Sequence, residues 1–201
     1  MEERATGIVL RTRPLTETSL IVQWLTPELG RVSTVAKGAR RPKSSFLGKL
    51  DLYYEAEFIF QRARRSTLHT LREVSLGQTR PFLRTELAAL EQAARAGRWI
   101  ERATEEETPL PGIYLLFRGF LDQLARPPLN AELPTAFEIK LLEELGLKPA
   151  LETSPLKPGS RRILEQLLEL DWDASRHLKV SSVQASEIST FLERCFQQGM
   201  A

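Results

Sequence analysis

The hydrophobic period of this chain changes once, and the change predicts an α+β protein: a five-stranded β-barrel followed by an all-helical region. Up to residue 76 the apolar residues come in short β-branched and aromatic runs separated by turn residues; beyond Gly77 they recur every three to four positions. Charge divides at the same place. Residues 1–80 carry 14 Lys and Arg against 8 Asp and Glu, a net of +6, whereas residues 81–201 carry 14 against 18, a net of −4. The two shifts together predict a basic barrel domain over 1–78 and a helical domain over 79–201.

The strands follow in order. Residues 7–13, GIVLRTR, are short and β-branched, and residues 19–25, SLIVQWL, set Leu20, Val22 and Trp24 on one face. TPELG, 26–30, is a turn, with Pro27 at its first central position and Gly30 free to take positive φ. RVSTVAK, 31–37, returns as the hairpin partner. In YYEAEFIFQ, 53–61, Tyr54, Ala56, Phe58 and Phe60 alternate with Tyr53, Glu55, Glu57 and Gln61; TLHTLREV, 67–74, is the fifth run. Five short strands with a gap between the third and fourth suit a small antiparallel barrel of the oligonucleotide/oligosaccharide-binding (OB) type. After it, Leu83 to Ala94, Ile113 to Leu124, Phe137 to Leu145, Ile163 to Leu168 and Ile188 to Phe196 form amphipathic stripes. Ser160 is expected to cap the fourth of these, and EEETPLPG (105–112) and RPPLN (126–130) to break the bundle.

Composition excludes several function classes. The single cysteine, Cys195, permits neither a disulfide framework nor a cysteine zinc site within the chain, so no metal or other cofactor is expected. Glu2 and Glu3 differ from the positive start of a signal peptide, and no apolar run approaches the roughly 18 residues of a membrane span. A protein of a reducing cytoplasm is expected, with no membrane role. No catalytic constellation emerges: His69 and His177 lack an acid–nucleophile pattern, Cys195 lies on an apolar stripe, and Gly38 lacks the companions of a phosphate-binding glycine motif. The run Glu105–Glu107 reads as a solvated helix end. The chain is not expected to be an enzyme.

The stretch VSTVAKGARRPKSSFLGKL, 32–50, is different. Lys37, Arg40, Arg41 and Lys43 set four cations in seven residues just past a strand, with Ser44 and Ser45 as short donors. A flexible loop of that chemistry reaches phosphates without disturbing a barrel core. Arg11 and Arg13 share one parity of the first strand, and Arg62, Arg64 and Arg65 cluster after the fourth; these could line one groove with the loop. Phe46 and Tyr53 are the better-exposed candidates for base stacking, Phe46 being equally suited to plug the barrel, while Trp24 and Tyr54 read as core. Three functions stay open on these residues: DNA binding, RNA binding, or a protein-interaction scaffold whose basic loop serves solubility.

TGIVLRTRPLTETSLIVQWLTPELGRVSTVAKGARRPKS, 6–44, resembles the N-terminal signature of the bacterial RecO recombination mediators, and LREV, 71–74, and FEIKLLEELGLKPAL, 137–151, are similar to later landmarks of that family. The resemblance implies an OB barrel and a helical domain that bind single- and double-stranded DNA and anneal complementary strands. It further implies work with RecR, contact with the acidic C-terminal tail of single-stranded DNA-binding protein, help in loading RecA, and a place at the nucleoid. A basic-rimmed apolar groove for that tail would fall on the stripes at Phe117, Arg118, Leu121 and Arg126 and at Lys140 and Leu141, although these apolar faces read more readily as ordinary core. Many members carry a four-cysteine zinc motif after the LGLKPAL landmark. Here ETSPLKPGSRR, 152–162, stands there, so the segment must hold itself by helix packing or stay mobile.

Overall fold

The first strand, β1 (Glu2–Pro14), is long enough to serve two partners, and this closes the barrel. Its first half pairs antiparallel with β4 (Glu55–Gln61), from Glu2↔Gln61 to Ile8↔Glu55. Its second half pairs with β2 (Leu20–Thr26), from Ile8↔Leu25 to Pro14↔Leu20. The register slips between Val9 and Arg11, and this bulge turns the strand from one partner to the other. Just before it, Gly7 allows close approach: a Cβ there would lie 3.0 Å from the Leu25 carbonyl oxygen. β2 forms a hairpin with β3 (Gly30–Ala36), β3 runs parallel to β5 (Leu68–Leu76) over Ser33–Val35, and β5 returns antiparallel to β4. The closed order β1-β2-β3-β5-β4 is the predicted OB barrel.

This computed structural model describes residues 1–129 and 132–199. They fall into two units: Met1–Pro81 with Thr104–Tyr114, and Phe82–Ala103 with the chain from Leu115 onward. The return of 104–114 to the strands falls on the predicted break EEETPLPG, which signals an interruption of the helices but not where the interrupting segment goes.

β1 begins five residues before the apolar run that announces it. The segment EERAT has little strand propensity; pairing with β4 and the ion pairs Glu3–Arg62 (2.7 Å) and Arg4–Glu57 (3.4 Å) accompany its extended form. Inside the barrel, Val9, Val22, Trp24, Val32, Phe58, Phe60, Leu71 and Val74 share one core cluster. Trp24 stacks on Phe58 at 4.2 Å between ring centroids, and its indole N–H donates to Thr34 Oγ1 at 2.9 Å. Each such aromatic contributes about 1.5–3 kcal/mol by burial, so period-2 alternation sets the direction of these strands. In the 26–30 turn, Thr26 Oγ1 accepts from the Leu29 N–H and donates to the Gly30 carbonyl. Gly30 has φ +67°, and a Cβ there would run into the backbone carbonyl of Thr108.

The helices of the second unit are α1 (Leu87–Ala103), α2 (Pro111–Leu124, whose first turn groups with the barrel), α3 (Leu133–Glu144), α4 (Pro158–Glu169), the short α5 (Trp172–Ser175) and α6 (Ser182–Gly199). α3 touches α1, α4, α5 and α6 and is apolar around most of its girth. Phe117, Phe120, Phe137, Leu141, Leu164, Leu192 and Phe196 are fully buried. Of the predicted break at 126–130, Asn130 lies outside the described residues. Ser160 is not the cap of α4. The helix starts two residues earlier, at Pro158, and Glu187 of α6 accepts from the Lys157 N–H (2.9 Å) and the Ser160 hydroxyl (2.7 Å). These donors hold the Glu187 carboxyl below its usual range.

In place of a zinc motif, 152–162 is tied by its own contacts. Leu151 and Leu156 are buried, Ser154 Oγ donates to the Leu151 carbonyl at 2.7 Å, and Arg161 donates to the carbonyls of Ser154 and Leu156. Among the described residues, no group of three His, Cys, Asp or Glu side chains is placed to hold a metal ion.

One buried carboxylate gives the helical unit a pH response. Glu138 accepts from Arg95 Nε (2.6 Å) and the Trp99 indole N–H (3.2 Å). Burial nevertheless pushes its carboxyl above the usual range, against the pull of Arg95 and Trp99. The folded form therefore keeps its proton at pH values where the unfolded chain has lost it. Stability falls as pH rises from the ordinary carboxylate value through the raised one. Glu138→Gln is expected to flatten that stretch of a melting-temperature-against-pH curve, and an unchanged slope would assign the response to another group.

Candidate nucleic-acid interface

Three parts of the barrel unit carry the predicted cations. The first, 37–54, joins β3 to β4. Successive turns build it: Ala39 N–H bonds to Ala36 O, Arg41 to Gly38, Ser44 to Arg41, Leu47 to Ser44 and Lys49 to Phe46. Arg40 N–H bonds the Thr18 carbonyl at 3.0 Å, which ties the loop to the β1–β2 turn. Ala39 and Phe46 are buried in the barrel cluster. The loop is thus an ordered scaffold rather than the flexible one expected, because Phe46 plugs the barrel and the turns satisfy the backbone. Lys37, Arg40, Arg41 and Lys43 all remain exposed on it, while Ser44 is half-buried and accepts from the Phe46 N–H at 3.2 Å.

The second part is the outward face of β1, β2 and β3. Register aligns Arg11 with Gln23 and Gln23 with Ser33, and in the neighbouring row Arg13 with Ile21. Arg11, Arg13, Ile21, Gln23, Ser33 and Glu106 line a cavity of about 220 Å³.

The third part is the β4–β5 loop. Arg64 and Arg65 are exposed there, but Arg62 is engaged by carboxylates: Glu3 through two hydrogen bonds (2.7 and 3.1 Å) and Glu107 at 3.1 Å. The Arg62 guanidinium holds the Glu3 carboxyl below its usual range, and Glu3 in turn raises Arg62.

Several expectations need correction. Tyr53 is 3% exposed and Phe46 8%, so neither offers a stacking surface. Tyr53 sits at φ +63°, and its carbonyl accepts from Arg80 Nη1 at 2.9 Å. Trp24 is core, as expected, and Tyr54 is half-buried against the same cluster. The run 105–107 is not a solvated helix end. Glu105 is exposed, but Glu106 and Glu107 are half-buried along β3, where Glu107 N–H bonds to Arg31 O at 2.9 Å. His69 is a buried structural histidine: it stacks on Phe60, its Nδ1 accepts from the Ala63 N–H, and Nε2 therefore donates to Glu107 at 2.7 Å. On the helices, Phe117, Leu121 and Leu141 are fully buried, so their stripes form core instead of an accessible groove. Lys140 donates to the carbonyls of Leu168 (3.0 Å) and Leu170 (2.9 Å) and so caps the end of α4, and Arg126 pairs with Asp173. Arg118 is exposed. Residue reasoning missed Gln23, Ser33, Glu106 and Glu107. Strand parity could have placed the first two on the outer face, but nothing in the local sequence signals the others.

The fold and its exposed cations define an OB-barrel protein with a basic β3–β4 loop and a helical second unit. Residues 1–80 match the family model for the N-terminal part of recombination protein O, and residues 84–154 the model for its C-terminal part. The chain belongs to the RecO family. It is 33% identical over 150 residues to the DNA repair protein RecO of Salinibacter ruber, covering 74% of this chain and 58% of that relative. The corresponding protein of Symbiobacterium thermophilum is 34% identical over 146 residues, covering 72% and 57%. That of Syntrophus aciditrophicus is 28% identical over 172 residues, covering 81% and 66%. The chain thus spans just under three fifths of the length of the first two of these relatives. Among the described residues, no helix is long and apolar enough to cross a membrane.

Proposed function

We propose that this chain is a DNA repair and recombination mediator that binds single- and double-stranded DNA through the barrel with little sequence preference. The observation that carries this reading is the four-cation loop, Lys37 to Lys43, exposed on a scaffold anchored by Phe46 in a RecO-family barrel. Cations on such a loop neutralise phosphates and leave base edges free. That is the chemistry annealing requires: lowered repulsion between two strands whose bases must still pair. With Phe46 and Tyr53 withdrawn into the interior, contacts to the backbone outweigh stacking in this reading. Arg11, Arg13, Arg64 and Arg65 extend the same surface. By kinship with the RecO proteins, RecR, the C-terminal tail of single-stranded DNA-binding protein and, indirectly, RecA are its partners, and the nucleoid is its place of work. Bond-making chemistry has no part in this mechanism.

Binding of the full chain to labelled single-stranded DNA and to RNA of the same sequence tests the reading, together with an annealing assay. Comparable, salt-sensitive binding to DNA sequences of different composition is expected. Strong preference for RNA would favour an RNA-binding barrel. Absent or salt-insensitive binding would favour a protein-interaction scaffold.

A further inference from the structure

The segment 104–107 does more than connect two helices. β5 begins pairing with β3 only at Ser33, so the stretch of β3 before it is left without that neighbour. The segment occupies this place as a parallel bridge at Arg31↔Glu106. Arg31 fixes its start, donating from Nε to Thr104 Oγ1 (2.8 Å) and from Nη2 to the Thr104 carbonyl (2.5 Å). Glu106 then accepts from Ser33 Oγ (2.9 Å) and Gln23 Nε2 (3.4 Å), on the wall of the cavity that Arg11 and Arg13 line. Glu107 takes Arg62 of the β4–β5 loop and His69. Glu106 therefore engages donors of the outer face beside Arg11 and Arg13, while Glu107 ties the segment to Arg62 and the buried His69.

We infer that residues 104–107 form an autoinhibitory acidic strap, in which Glu106 competes with the phosphodiester backbone for the β1–β3 face and nucleic acid binds there only by displacing it. This inference rests on the reading of the barrel as a DNA-binding surface. A carboxylate presents two acceptor oxygens, as a phosphate does, so Ser33, Gln23 and the neighbouring arginines accommodate either. An isolated bridge, with the Glu107 N–H to Arg31 O bond, and side-chain contacts hold the segment at its acidic residues, in contrast to the multi-residue ladders that pair the five strands.

The test compares Glu106→Gln with Glu105→Gln in the full chain, using a fluorescent oligothymidylate as probe. Glu106→Gln keeps an acceptor for Ser33 and Gln23 and removes the charge; Glu105→Gln removes an equal charge from an exposed neighbour. Glu106→Gln is expected to bind roughly fivefold tighter or more, the range of a modest coupling between sites, and Glu105→Gln to bind as the parent does. The gain should vanish when Arg11 and Arg13 are both replaced by alanine. Equal gains in the two glutamine variants would reduce the effect to net charge and overturn the strap. So would a parent that binds DNA beside an unchanged Glu106→Gln, while leaving the DNA-binding reading in place. A parent that binds no DNA at all would overturn both.

Discussion

Replacing Lys37, Arg40, Arg41 and Lys43 together with alanine is expected to weaken DNA binding and annealing severely while the fold persists. All four side chains are exposed, and exposed substitutions away from special features shift stability by only about ±0.5 kcal/mol. The scaffold beneath them depends on other groups: buried Ala39 and Phe46, and the turn hydrogen bonds of the backbone, which alanine retains. If each cation contacts one phosphate of single-stranded DNA, log affinity against log salt should become shallower by roughly 3, from about 0.7 per contact. Over a tenfold rise in salt the parent's advantage would then shrink by roughly 600-fold. The loss should be alike for sequences of different composition, since phosphate contacts carry no base information. Salt titrations of parent and variant, with thermal melts as the folding control, measure this. An unchanged slope would make the loop a solubility feature and move the binding surface to Arg11, Arg13, Arg64 and Arg65.

Arg80→Ala is expected to cost the barrel unit about 3–5 kcal/mol, the usual consequence of leaving one partner of a buried ion pair without the other. Arg80 Nη2 lies 3.0 Å from Glu55 Oε2, with side chains 3% and 11% exposed. Arg80 Nη1 also donates to the Tyr53 carbonyl (2.9 Å), and Tyr114 Oη donates to the other Glu55 oxygen (3.1 Å). The guanidinium thus joins the end of β5, the start of β4 and the segment 104–114. Its removal strands a carboxylate in the interior and frees a buried carbonyl. At the usual conversion of several degrees per kcal/mol for a domain of about 100 residues, the melting temperature should fall by more than about 10 °C. The double variant Glu55→Leu/Arg80→Met should recover much of the loss, because a pair replaced on both sides leaves no uncompensated charge. A double variant as unstable as Arg80→Ala would mean that Tyr53 and Tyr114 depend on the pair for more than charge balance.

The residues that carry the barrel were legible before any coordinates because their information is local. Val22 and Trp24, and Ala56, Phe58 and Phe60, alternate with the period of a pleated strand, and all five are interior. TPELG reads as a turn from Pro27 and Gly30 alone, and Gly30 takes positive φ. Four cations crowded past a strand end are exposed wherever that end falls. What the chain's own order could not decide was which distant group meets which. Glu2 to Thr6 lack strand character and are strand only because β4 is beside them. An apolar stripe shows that a helix face is covered but not what covers it, so Phe117, Leu121 and Leu141 favoured the bundle's own interior, where they lie, without excluding a partner's groove. Charges are the least legible of all, since a carboxylate reads as solvated until its partner is placed. Glu106 meets Ser33 across 73 residues, Glu107 meets Arg62 across 45, and Glu55 meets Arg80 across 25. Period and turn chemistry act over a few neighbours and determined the elements, whereas ion pairs and burial depend on distances through space that only the closed barrel and the packed helices establish.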